Sequence, residues 1–171
     1  MNLPNKLTLL RIVMIPLCLL CWGLNWHAAA AVVFILAAVT DFLDGYIARK
    51  QGAVTTFGKF ADPVADKALV LTSMIFLCAD GRLPAWAVAI VAARELLIDG
   101  LRLVSAGKGS VMAAGWLGKI KTNAQLVCTV CAMVLSPGSV ITLIAVIFMS
   151  VMTVISGGQY LWAARGILKE N

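Results

Sequence analysis

The chain has 171 residues, 61% of them hydrophobic and only 13% charged, with a mean hydropathy of +0.95. That balance excludes an ordinary soluble domain and is the balance of an integral membrane protein. The formal charge of +6 does not argue for nucleic acid, because the lysines and arginines gather between apolar runs in the pattern that orients a membrane protein.

The first element is a short N-terminal interfacial segment, residues 2–8, which is polar on one side and leads into an apolar run at about 8–25. Lys6, Arg11, the run from Ile12 to Leu24 and Ala28, Ala29 and Ala30 imitate a signal peptide. The polar segment ahead of them favours a retained span. Further runs long enough to cross a bilayer lie at about 27–46, 63–79, 84–106, 116–135 and 139–163. Ser136, Pro137, Gly138 and Ser139 separate the last two, since Pro and Gly punctuate helices. The fold class is therefore all-α: a polytopic membrane protein with six transmembrane helices in one domain, residues 1–171.

Positive charge alternates between the ends of these spans. Lys6 and Arg11, then Arg49, Lys50 and Lys59, then Arg102, Lys108, Lys119 and Lys121, and finally Arg165 and Lys169 mark one side. The connections on the other side contribute Arg82. Both termini and the connection after the second span are thus expected at the cytoplasmic face of a bacterial inner membrane. Trp22, Trp26, Trp86, Trp116 and Trp162 sit near span ends as interfacial anchors, and His27 reads as interfacial filler. The pairs Cys18/Cys21 and Cys128/Cys131 lie inside apolar helices, where they read as packing residues rather than metal ligands. Ala37, Ala38, Gly157 and Gly158 would allow close contact between helices of two copies.

Four carboxylates stand out in this apolar setting: Asp41, Asp44, Asp62 and Asp66. Acids beside membrane segments are costly and mark function. If the second span stays helical through Arg49, Asp41 and Asp44 share a face. Pro63 is suited to open the next helix, because a first helical residue needs no donor, and Asp62 and Asp66 then flank that opening. Four oxygen donors of this kind suit one or two Mg²⁺ or Mn²⁺ ions with positions left for phosphates. Gly45, and Gly58 in the connecting stretch, permit close backbone approach. Arg49 adds a guanidinium suited to phosphate oxygens. Together they read as a pyrophosphate site. Downstream, Arg94, Arg102, Lys119 and Lys121 suit an anionic acceptor, although Lys119 and Lys121 also fit the role of snorkelling orientation charges. Glu95 reads as a neutralising partner for Arg94 or a neighbour.

The pattern Asp41-x-x-Asp44-Gly45-x-x-Ala48-Arg49, followed by Gly58-x-x-x-Asp62-x-x-x-Asp66, resembles the complete signature of the CDP-alcohol phosphatidyltransferases, whose six-helix membrane fold agrees with the six spans. Residues 4–8, 93–95 and 118–122 most resemble those bacterial members that make phosphatidylglycerophosphate. The resemblance implies transfer of the phosphatidyl group of CDP-diacylglycerol to sn-glycerol 3-phosphate, with CMP released. It also implies metal ligation by Asp41, Asp44 and Asp62, and a general-base role for Asp66 with contact to a metal. Asp44, Gly45, Ala48, Arg49 and Gly58 would border the cytidine diphosphate, with Asn5 and Thr8 beside them. A homodimer among membrane lipids is expected from the family. Serine, inositol phosphate or phosphatidylglycerol as acceptor keeps the same chemistry. A divalent-cation transporter is the alternative of another class, and predicts acids spread through the bilayer depth rather than gathered at one side.

Overall fold

The computed structural model describes residues 3–51, 56–107 and 115–169, and side chains within residues 9–40, 64–107 and 115–165. The described residues form six helices and no strand: α1 (Leu3–Gly23), α2 (His27–Gln51), α3 (Thr56–Ala79), α4 (Ala85–Gly107), α5 (Trp116–Val134) and α6 (Val140–Lys169). Each expected span has its helix. Val140–Arg165 is the one described stretch long and apolar enough to cross a membrane by length and composition, while Leu9–Gly23 and His27–Thr40 are shorter apolar helices. Charged residues interrupt the apolar runs of the others.

The helices extend beyond the apolar windows because backbone hydrogen bonding continues where side chains turn polar. α1 opens at Leu3, so the segment expected at the interface is its first turns rather than a separate element. α3 begins at Thr56, which places Gly58 and Pro63 inside it; neither the connecting position expected for Gly58 nor the helix-opening position expected for Pro63 holds. An internal proline removes one ladder bond, and the rest of a long helix carries that loss.

Tight, well-closed turns set the direction of the chain. Asn25 takes a left-handed conformation at φ 61°, with the Asn25 N–H donating to Trp22 O and the Trp26 N–H to Cys21 O. Gly81, at φ 71°, repeats the motif: its N–H donates to Cys78 O and that of Arg82 to Leu77 O. Both close the last carbonyls of a helix in the Schellman manner.

α1 packs against α2 and α3, α5 against α6 and α2, and α4 against α6, while α3 also meets α4 and α5. Small residues let the backbones approach: Ala30, Ala37 and Ala87 are fully buried among Phe34, Met74, Leu77, Cys128 and Met149. Ala37 thus serves packing within the chain and is not free for a second copy. Cys18 Sγ donates to Ala30 O at 3.4 Å, and among the described residues no group of three metal-ligating side chains forms. Cys18, Cys21 and Cys128 are buried in the core, where they pack between helices. Hydroxyls of Thr40, Thr72, Ser105, Thr122, Thr129, Ser150 and Thr153 each donate to the carbonyl four residues back, which satisfies them without water.

The end of the bundle around Gly81 departs from the interfacial reading. Trp22 is buried and packs at a tilt of 54° against His27, with 4.4 Å between ring centroids, so the two rings make a contact within the chain. The Arg82 guanidinium lies 5.1 Å over Trp22, donates to Asp80 at 3.0 Å, and reaches Ala132 O and Leu135 O at 3.3 and 3.0 Å. It caps α5 and ties the α3–α4 turn to it. Trp26, Trp86, Trp116 and Trp162 are exposed, as anchors should be. Arg11, expected as an orientation charge, is fully buried.

Candidate active site

The aspartates fall on two consecutive helices. Asp41 and Asp44 belong to α2, which continues through Arg49 to Gln51, and Asp62 and Asp66 belong to α3. Each pair sits roughly two to three turns from the connection between the helices, so the two pairs lie at similar distances along them. The side chains of Asp41, Asp44, Gly45, Ala48, Arg49, Gly58 and Asp62, and of Asn5 and Thr8 on α1, lie outside the described residues.

Asp66 is described, half-buried, at the wall of a cavity of about 520 Å³, within the range of small-molecule sites. Lys67 from α3, Arg94, Glu95 and Arg102 from α4, Lys119, Lys121, Thr122, Asn123 and Gln125 from α5, and Tyr160 from α6 share that wall. Asp66 is thereby brought together with all four residues expected to hold an acceptor phosphate. Among the described residues five cationic side chains and two carboxylates line the cavity, a positive excess in that part of its wall.

Glu95, on the buried face of α4, organises the cations. It forms an ion pair with Lys121, lies 3.3 Å from Arg94 Nη1, and has Lys67 Nζ 3.6 Å from its other oxygen. Lys67 also pairs with Asp99 one helical turn further along α4. Lys121 is 2% exposed, which removes the snorkelling reading for it. Lys119 lines the same cavity but is exposed, at its rim. Glu95 is therefore the shared partner of Arg94 and of two neighbours besides. A charge in this setting holds its position only because its counter-charges are also buried.

Arg94 and Arg102 are set by α6. Arg94 Nη2 donates to Ser156 Oγ at 3.2 Å, and its stem crosses Gly157, where a Cβ would stand 3.5 Å from Arg94 Cγ. Its head reaches Gly118, whose missing Cβ would stand 4.0 Å from Arg94 Nη2 and 3.5 Å from the Tyr160 hydroxyl. Gly157, expected at a contact between copies, packs against this arginine within the chain. Arg102 Nη2 donates to Tyr160 OH at 2.9 Å. The Tyr160 ring lies 5.5 Å from the Arg94 guanidinium and 5.4 Å from that of Arg102, both within cation–π reach.

Lys67, Ser156 and Tyr160 belong to this arrangement and were missed from the sequence. A lysine following Asp66 in a run toward apolar residues was one signal. The polar patch Ser156 to Tyr160 at the end of the most apolar helix was another.

The model of the CDP-alcohol phosphatidyltransferase family matches residues 1–164, and the chain belongs to that family of enzymes. Its relatives narrow the comparison further. The CDP-diacylglycerol–glycerol-3-phosphate 3-phosphatidyltransferase of Bacillus subtilis (strain 168) is 48% identical over 141 residues, covering 74% of this chain and 73% of its own. The enzyme of the same name from Escherichia coli (strain K12) is 40% identical over 182 residues, covering 99% and 98%. That of Sodalis glossinidius is 38% identical over 183 residues, covering 100% and 99%. Membership in an enzyme family displaces the transporter reading.

Proposed function

We propose that the chain transfers the phosphatidyl group of CDP-diacylglycerol to sn-glycerol 3-phosphate, giving phosphatidylglycerophosphate and CMP, and so feeds phosphatidylglycerol and cardiolipin synthesis. The observation that carries this reading is the cationic cavity that places Asp66 beside Lys67, Arg94, Arg102, Lys119 and Lys121. A phosphate monoester dianion offsets that excess, whereas serine would leave it uncompensated. The names of the relatives support the same acceptor.

The donor set fits a hard divalent cation: four carboxylates, paired at helical spacings of three and four on α2 and α3, offer oxygen alone. Asp41, Asp44, Asp62 and Asp66 would hold one or two Mg²⁺ or Mn²⁺ ions. Such ions, when bound, offset pyrophosphate charge and stabilise the leaving CMP phosphate. Gly45, Ala48, Arg49 and Gly58, with Asn5 and Thr8, would border the cytidine diphosphate. The cavity cations fix the acceptor through its phosphate, leaving its primary hydroxyl toward Asp66. Asp66 accepts the proton as that oxygen bonds to the phosphorus bearing diacylglycerol and the bond to CMP breaks. Orientation carries most of the rate, since an ordinary aspartate is a weak base.

The family match through residue 164 supports one membrane domain. Outward-facing Leu96, Leu103 and Val140, each more than two thirds exposed, suit lipid contact and support six spans. Positive charge at the cavity end supports a cytoplasmic site in the inner membrane. A homodimer remains part of the reading, with Gly158 exposed and Ala38 half-buried as the small residues left toward the outside. The test is radiolabelled acceptor incorporation by purified protein with CDP-diacylglycerol and Mg²⁺, comparing glycerol 3-phosphate, serine, inositol phosphate and phosphatidylglycerol, with and without chelator. Product from glycerol 3-phosphate alone, lost on chelation, is expected. Product from another acceptor would overturn the acceptor assignment and keep the transfer chemistry.

A further inference from the structure

Tyr160 is 4% exposed, yet it lines the cavity and belongs to none of the charged groups assigned above. Its hydroxyl has two acceptor sites and one proton. Arg102 Nη2 donates to it at 2.9 Å and the Gly115 N–H at 3.0 Å, so both acceptor sites are filled. Neither of those partners takes the phenol's own proton. Among the described residues the phenol's donor has no acceptor, which is costly for a buried hydroxyl unless a ligand takes it, and its ring lies within 5.5 Å of two guanidiniums that gather anions. Gly118, which lines the same cavity, lies beside the hydroxyl: a Cβ there would stand in contact with the oxygen at 3.5 Å.

Resting on the acceptor reading above, we propose that Tyr160 is a specificity-determining residue that donates its phenol proton to the phosphate of the acceptor, while its ring holds Arg94 and Arg102 side by side for the same group. The hydroxyl then discriminates a phosphorylated acceptor from a bare alcohol by direction as well as charge. Guanidiniums alone would attract any anion; an O–H whose lone pairs are already taken points one way, and bonds only to an oxygen lying along that line.

The test uses the full-length protein in detergent with CDP-diacylglycerol. Tyr160→Phe keeps the ring between the arginines and removes the proton. We expect the KM for sn-glycerol 3-phosphate to rise about tenfold, the loss typical of one hydrogen bond to a charged group, with kcat within about threefold and the KM for CDP-diacylglycerol unchanged. An unchanged acceptor KM, or equal losses in kcat and both KM values, would overturn the proposal. Should Tyr160→Phe fold poorly, 3,5-difluorotyrosine at position 160 is nearly isosteric and ionises at lower pH. Ionisation removes the donated proton while strengthening acceptance from Arg102 and Gly115, so a purely architectural role predicts a flat acceptor KM. The proposal predicts an acceptor KM that rises with pH where wild type does not, and a flat profile sinks it. Wild-type protein that makes no product from glycerol 3-phosphate overturns the acceptor reading and this one together; wild-type turnover with an unaltered variant KM overturns Tyr160 alone.

Discussion

The two ends of the bundle treat arginine differently. Around Gly81, Arg82 meets a carboxylate, two carbonyls and an indole face, so its Nε and Nη1 donors are occupied by the protein itself. At the other end, Glu95 touches Arg94, Lys67 and Lys121 at once and Asp99 shares Lys67, two carboxylates for three cations, with Arg102 and Lys119 lining the same cavity. Charge that builds the fold is quenched locally, whereas charge that recruits a ligand is held in place but left in excess. The same residue type carries opposite meanings, decided by how completely its neighbours satisfy it.

The largest effect that bears on this contrast concerns the acid among the cations. Asp66→Asn should lower turnover by about 10²–10⁴-fold, the usual worth of a positioned base, with CDP-diacylglycerol binding retained; near-normal turnover of folded variant protein would remove the base assignment. Next comes a paired exchange of one cation at each end. Lys121→Gln is expected to raise the KM for glycerol 3-phosphate about tenfold. Arg82→Gln should instead lower stability by about 1.5–3 kcal/mol, the range for hydrogen bonds of a charged group, seen as an earlier thermal melt in detergent with acceptor KM unaltered. If Arg82→Gln shifts KM, or Lys121→Gln shifts only the melt, the contrast between the ends fails. The smallest effect belongs to Lys119 at the rim. Its replacement by Gln should raise the acceptor KM about twofold at low salt and not at about 1 M salt, where screening extends only about 3 Å; a salt-independent change would place the ammonium in direct contact with phosphate.

Much of this architecture was legible in the sequence because lipid imposes a simple rule: polar backbone must bond to itself, so apolar runs read directly as helices. The rule reports the apolar part only, which is why the polar start of α3 escaped it and Pro63 was read as a helix opening rather than an interior residue. Spacing alone placed Asp41 with Asp44 and Asp62 with Asp66, since three and four residues repeat a helical face. The charge pattern led to Arg94, Arg102, Lys119 and Lys121. Partnership between helices was less visible. That Glu95 binds Lys121, that Lys67 joins them, and that Tyr160 stands between two arginines are facts of tertiary packing, and no local periodicity encodes which side chain on α6 meets which on α4. Trp22 was misread for a related reason: position near a span end describes depth and says nothing about which way the ring turns.

α6 also serves as a ruler. From Val140 to Tyr160 the helix rises about 30 Å at 1.5 Å per residue, close to the thickness of a hydrocarbon core. A helix laid across a bilayer with its first residue at one boundary therefore delivers the Tyr160 hydroxyl to the other. On the proposed placement of α6 across the bilayer, that plane is where a water-borne phosphate and a lipid headgroup can meet without either leaving its own solvent, and the length of one apolar helix would then set the depth at which the two reactants come together.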